Sequence, residues 1–184
     1  QKKRIFISSP FSREAVDRLE EMRVPAYKIG SGECNNYPLI EYISKKKKPV
    51  ILSTGMNDIR SIKKSVNIFR KYKIPYALLH CTNIYPTPNH LVRLNCLTEL
   101  KNKFNDAVIG ISDHTETIYS CLGAVSLGAS IIEKHFVDTK KRKGPDISAS
   151  MDTHELKQLI EGSNKIFEAR GSNKQPLKEE KKTI

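Results

Sequence analysis

Ile109-Gly110-Ile111-Ser112-Asp113-His114-Thr115 and Ser130-Ile131-Ile132-Glu133-Lys134-His135-Phe136 follow one plan: an apolar run rich in isoleucine, then polar residues ending in histidine. Runs of that length and composition read as buried strands. In a parallel sheet the C-terminal strand ends gather on one face, so two such imidazoles can share a divalent cation and leave coordination positions open. A lone histidine after a strand more often just hydrogen-bonds the strand end. Two of them, with Asp146 in Gly144-Pro145-Asp146 just beyond, point instead to a metal centre of the open kind that Lewis-acid catalysis needs.

Outward from these two strands, the chain alternates short apolar runs with longer segments of helical period, the pattern of parallel strands joined by crossover helices. Strands are expected over 4–8, 26–29, 49–52, 76–80, 107–111 and 130–134, about six units in all. Ser12 and Asp58 are good helix N-caps, and helices are expected over 117–127 and 153–170. Pro25, Pro49 and Pro75 stand at or just before strand starts, where a helix has already ended. Polar residues recur after each strand, at Ser8-Ser9, 28–31, Ser53-Thr54, Asn83, 112–114 and 133–135. A ring of polar strand ends is the active face of a TIM (β/α)8-type barrel. Six units are two short of closing one, and an open doubly wound sheet is the competing α/β arrangement.

The chain has 184 residues, enough for one large domain or part of a bigger protein. It begins Gln1-Lys2-Lys3-Arg4 without a methionine, and a larger protein is expected. Residues 1–171 read as one domain; 172–184, rich in Lys and Glu, read as a linker. The 32 Lys and Arg against 20 Asp and Glu give a net charge of +12, which invites an anionic partner. Nucleic acid is not expected, because the lysine clusters lack interleaved aromatic platforms. Cys34, Cys81, Cys96 and Cys121 form no Cys-x-x-Cys pair and no apolar run reaches membrane length, so a reducing cytoplasm and no membrane are expected.

Three motifs suit an anion. Lys28-Ile29-Gly30-Ser31-Gly32-Glu33 offers an ammonium, a hydroxyl and glycines, while Ser53-Thr54-Gly55 and Ser112 add donors at neighbouring strand ends. An ammonium within an apolar strand must reach water, a carboxylate or a ligand. Asn83 can donate or accept, and Tyr85 can pack on a sugar or donate its hydroxyl proton. Glu33 and Glu133 suit proton transfer or the positioning of water, and serve equally well as ion-pair partners of Lys28 or Lys134. His80 reads as a packed core histidine, Cys81 as unsuited to nucleophilic work, and His90 and His154 as solvated.

These motifs in this order resemble the sialic acid synthase family of phosphoenolpyruvate-dependent nonulosonic acid synthases. The matching text is 6–12, 27–33, 52–56, 79–88, 110–115, 133–136 and 144–146, nearly the whole chain up to the expected linker. The resemblance implies a barrel that condenses phosphoenolpyruvate with an N-acylated mannosamine-type sugar and releases phosphate. It implies that His114 and His135 ligate manganese, with magnesium or cobalt as substitutes, and that Ser9, Lys28, Ser31, Ser53, Asn83 and Ser112 hold phosphoenolpyruvate. Tyr85 and Asp146 would contact the sugar, with Glu33 and Glu133 as acid/base groups. It further implies two earlier strands, a C-terminal antifreeze-like domain and a homodimer in the full-length protein; the strands and that domain have no counterpart in this sequence. N-acetylneuraminate synthesis is the leading expectation, with legionaminate or pseudaminate synthesis close behind and a non-catalytic, anion-binding remnant as the alternative of another kind.

Overall fold

The computed structural model of the chain describes residues 4–171 together with Leu177 and Glu180; the rest of the expected linker lies outside the described residues. Five strands, β1 (Tyr27–Ile29), β2 (Val50–Ser53), β3 (Tyr76–Cys81), β4 (Val108–Asp113) and β5 (Ile131–Lys134), form one sheet in the order β1-β2-β3-β4-β5, parallel at every pairing. A doubly wound sheet reverses its winding at a switch point. Here every crossover steps the same way, so the doubly wound alternative falls.

The sheet is also curled. Lys28 on β1 and Glu133 on β5 lie four strand spacings apart, roughly 19 Å across a flat sheet. Their side chains nevertheless meet at 3.5 Å between Nζ and Oε2. Only a strongly curved sheet lets its outermost strands touch across the concave side, and the fold is therefore an α/β half-barrel.

Among the described residues α1 (Arg13–Glu21) precedes the sheet, α2 (Tyr37–Lys45), α3 (Ile59–Tyr72), α4 (Asn95–Lys103) and α5 (Tyr119–Ser126) fill the four crossovers, and α6 (Thr153–Ala169) follows β5. Ser12 and Asp58 cap α1 and α3 as expected, accepting the amides of Ala15 at 3.1 Å and Ser61 at 2.8 Å. Asp152 and Glu155 close a reciprocal capping box on α6. Strand alternation separates two surfaces. Tyr27, Ile29, Val50, Leu52, Leu78, Ile109 and Ile111 are buried in one core with the apolar stripes of the helices, including Ile62, Val66 and Phe69 of α3. The intervening positions, among them Lys28, Ser53, Cys81, Ser112 and Glu133, turn to the concave side.

Residues 4–8 do not form the sixth strand. The Ser8 carbonyl accepts one bond from the Lys28 amide at 3.2 Å. Ile5 and Phe6 are 73% and 57% exposed, so the run lacks the packed face that would hold a ladder in place. The described residues thus hold five strands where six are expected from the sequence.

Several of the basic residues are paired with acids near the helices, Lys46 with Asp17, Lys48 with Glu20, Arg70 with Asp106 and Lys71 with Glu41, all within 2.9 Å. The four cysteines are free. No helix among the described residues is long and apolar enough to cross a membrane.

Candidate active site

Lys28 enters the concave side from the middle of β1. Its side chain is 12% exposed, and its ammonium donates to Ser53 Oγ at 2.8 Å and to the Ile29 carbonyl at 3.1 Å. Ser112 Oγ donates to Glu133 Oε1 at 2.9 Å, while Glu133 Oε2 faces Lys28. One carboxylate is therefore held between an ammonium and a hydroxyl contributed by strands from opposite sides of the half-barrel. Burial lowers the Lys28 pKa, and the facing Glu133 charge opposes that shift.

Ser31 begins the 3-10 turn Ser31–Glu33 that follows β1. Its hydroxyl accepts the Gly55 amide at 3.0 Å and its carbonyl accepts Asn57 Nδ2 at 3.0 Å. A Cβ at Gly55 would fall 2.3 Å from Asn83 Oδ1 and 2.9 Å from Ser31 Oγ, so any larger residue there requires those two side chains to move. Three strand-end loops thus converge at Gly55. Gly55→Ala is expected to lower stability by about 1–3 kcal/mol, the usual range for forcing a methyl group into a packed site, and to push Asn83 off its bond with the Cys81 thiol, 3.0 Å in the native chain. Urea unfolding measures the first effect and a crystal structure of the variant the second; wild-type stability would show that the loops yield.

His114 and His135 come directly after β4 and β5, and their ring centroids lie 5.3 Å apart. Tyr85, in the loop after β3, stacks over His114 at 4.0 Å and meets His135 edge-on at 5.7 Å. Burial, then the neighbouring His135, holds the His114 pKa below its ordinary value, with a hydrogen bond to the Thr82 carbonyl opposing. The neutral imidazole is the ligating form. Among the described residues no group of three or more His, Cys, Asp and Glu is gathered as a metal cage. Two imidazoles on adjacent strand ends fit a cation that takes its remaining ligands from water or substrate oxygens.

Asp146 opens the 3-10 turn Ile147–Ala149 in a left-handed conformation, φ 60°, and is exposed. Its charge reaches Tyr85, whose phenol is pushed up to about 12, first by burial and then by Cys81, Asp146 and Glu133. Tyr85 is thereby kept as a hydrogen-bond donor. Ser9 is half-buried at the end of the run beside β1. Glu33 turns away to accept Asn36 Nδ2 at 2.6 Å, at the start of α2. His80 is buried, its Nε2 2.6 Å from the Val92 carbonyl, and burial raises the Cys81 thiol pKa; His90 and His154 are exposed. These last placements agree with the sequence reading.

Sequence reasoning missed a buried ion pair. Lys134 Nζ lies 2.6 Å from Asp113 Oδ2, with the two side chains 0% and 1% exposed. The ammonium also donates to the Thr115 carbonyl at 2.6 Å; Asp113 accepts from Thr115 Oγ1 at 2.9 Å and from Ser120 Oγ at 2.6 Å. A signal was present. If Ser112 and Glu133 turn to the concave side, alternation sends Asp113 and Lys134 to the helix side, where charges must pair.

A one-way-wound half-barrel whose concave side holds a Lys28–Glu133 ion pair, with two imidazoles at the ends of its last two strands, defines a partial β/α-barrel with a polar site toward its C-terminal strand face. The chain belongs to the NeuB family, whose model matches residues 1–175. It is 42% identical over 183 residues to the N,N'-diacetyllegionaminic acid synthase of Campylobacter jejuni, covering 97% of this chain and 54% of that protein. It is 35% identical over 167 residues to the N-acetylneuraminate-9-phosphate synthase of Homo sapiens, covering 91% of this chain and 46% of that one. The crystal structure of the N-acetylneuraminic acid (sialic acid) synthetase of Leptospira borgpetersenii in complex with citrate superposes with a TM-score of 0.93 at 33% identity, covering 97% of this chain and 63% of that chain. The chain spans about half the length of the curated relatives it matches.

Proposed function

We propose that the chain is the larger part of the catalytic barrel of a sialic acid synthase, condensing phosphoenolpyruvate with N-acetylmannosamine to N-acetylneuraminate and phosphate. The observation that carries this reading is the Glu133 carboxylate of β5 held jointly by Ser112 of neighbouring β4 and by Lys28 of β1, at the opposite edge of the sheet. The same donors, with Ser53, Ser31, Asn83 and Ser9, suit the phosphate and carboxylate of phosphoenolpyruvate.

His114 and His135 would hold the divalent ion, manganese in the first instance, with magnesium or cobalt as substitutes. Bound there, it supplies Lewis-acid polarisation of the sugar aldehyde. Tyr85 and Asp146 orient the open-chain sugar beside the imidazoles, by hydroxyl donation and by accepting from sugar hydroxyls. The enol carbon of phosphoenolpyruvate then forms the new bond to the aldehyde carbon as the C=O π pair moves to the aldehyde oxygen, which takes a proton from the carboxyl group that receives one from water in the next step. Water adds at the electron-poor carbon left behind, giving its proton to a carboxylate, and the carbon–oxygen bond to phosphate breaks. Glu133, displaced from Lys28 by the incoming phosphate, is the carboxylate placed for that proton; Glu33 is the second candidate and must first leave Asn36. The remaining barrel strands and a dimeric partner belong to the full-length protein in this reading, and cytoplasmic residence goes with it.

Legionaminate synthesis is the second reading, favoured by the 42% identity to the Campylobacter enzyme. The test joins this chain to the upstream and downstream segments of a NeuB relative and measures phosphate release from phosphoenolpyruvate with manganese. N-acetylmannosamine and a diacetylated amino sugar are the competing acceptors. N-acetylneuraminate as the preferred product is expected, and the chain alone is expected to turn over neither. Preference for the diacetylated sugar would move the assignment to the second reading, and no release with either would sink both.

A further inference from the structure

We infer that Lys134 and Asp113 are positioning residues for the imidazole pair, a clasp that sets the separation and aim of His114 and His135. The inference rests on the metal role proposed above for those histidines. Asp113 and Lys134 are paired in register at the ends of β4 and β5, and each immediately precedes one of the two histidines. What joins the ion pair therefore joins the two points from which the imidazoles depart.

The bonds are more specific than a simple tether. Lys134 grips Asp113 through its carboxylate at 2.6 Å and Thr115 through its carbonyl at 2.6 Å. These are the residues on either side of His114. One ammonium, placed next to His135 in the chain, thus holds the side chain of the residue before the other histidine and the backbone of the residue after it. Ser120 Oγ donates to Asp113 Oδ1 and Thr115 Oγ1 to Oδ2, so both carboxylate oxygens are held and have little freedom to swing.

Stability alone does not account for this choice. A buried ion pair is commonly no better for stability than a well-packed apolar pair of similar volume. The neighbouring helix-side positions Ile109 and Ile111 are apolar, as is usual for a buried parallel sheet. Apolar contacts slide with little change in energy, whereas hydrogen bonds in fixed directions hold distances to a few tenths of an ångström. Groups that orient metal ligands from behind typically change metal affinity by about 10–100-fold when removed.

The test removes both charges together, Asp113→Asn with Lys134→Met, so that no lone charge is left buried. Thermal unfolding and Mn²⁺ binding, followed by the electron paramagnetic resonance signal of the free ion, are measured on the full chain, with His114→Ala as control. The expected result is a melting temperature close to that of the parent with a Mn²⁺ dissociation constant raised about 10–100-fold. Parent-like Mn²⁺ affinity in the folded double variant would overturn the clasp. Should that variant not fold, Ser120→Ala, which loosens Asp113 without changing any charge, decides: an affinity a few-fold weaker supports the inference and an unchanged one overturns it. If His114→Ala binds Mn²⁺ as the parent does, the metal reading itself is at fault and the clasp falls with it.

Discussion

Lys134→Met on its own is expected to lower folding stability by about 3–5 kcal/mol, the range for breaking a buried ion pair from one side. Asp113 would be left 1% exposed with no cation, its carboxylate facing the hydroxyls of Thr115 and Ser120 and the thiol of Cys121. Neutral hydroxyl and thiol donors do not offset the desolvation of a full charge. Urea unfolding at neutral pH measures the loss. Adding Asp113→Asn to the same chain should recover most of it, since the uncompensated charge is then gone. A loss below about 1 kcal/mol, typical of exposed pairs, would show that water reaches the pair.

Lys28→Met is expected to act in the opposite way, sparing the fold and emptying the cradle of its cation. The side chain keeps nearly the same length, and Glu133, 42% exposed, can turn to water when its partner goes. Phosphoenolpyruvate binding should weaken by about 1.5–3 kcal/mol, the range for a hydrogen bond to a charged group, which corresponds to roughly a ten- to hundredfold rise in Kd. Titration calorimetry on the folded variant reads this directly. Unchanged affinity would remove Lys28 from the anion site.

Much of the framework was legible because it depends on local pattern. Five apolar runs bounded by proline and polar residues became strands with ends shifted by only one or two positions, since each is buried on the helix side. The run at 4–8 has the same composition but lacks cover, and apolarity alone cannot report whether a neighbour exists. Gathering Lys28, Ser53, Ser112, His114 and His135 on one side followed from strand alternation and parallel direction. Glu33 shows where that reasoning stops: it lies in a turn, where side-chain direction is set by whichever local donor is near, and Asn36 is near. The partners of Asp113 and Lys134 were hidden for another reason. Each stands beside a more conspicuous residue, Ser112 and His114 or Glu133 and His135, and the charge was read with its sequence neighbours instead of with the strand next door.

The bridge from Lys28 to Glu133 changes what an incoming anion meets. The cradle is already close to neutral, filled by a carboxylate of its own, so entry is an exchange of one anion for another. Chloride, acetate or any singly charged competitor would gain little by displacing Glu133, because it offers the ammonium no more charge than it removes. A ligand carrying both a phosphate and a carboxylate gains on each contact and also leaves Glu133 free to act. The bridge would thus work as a threshold, ignoring the simple salts of its surroundings and yielding to a polyanion.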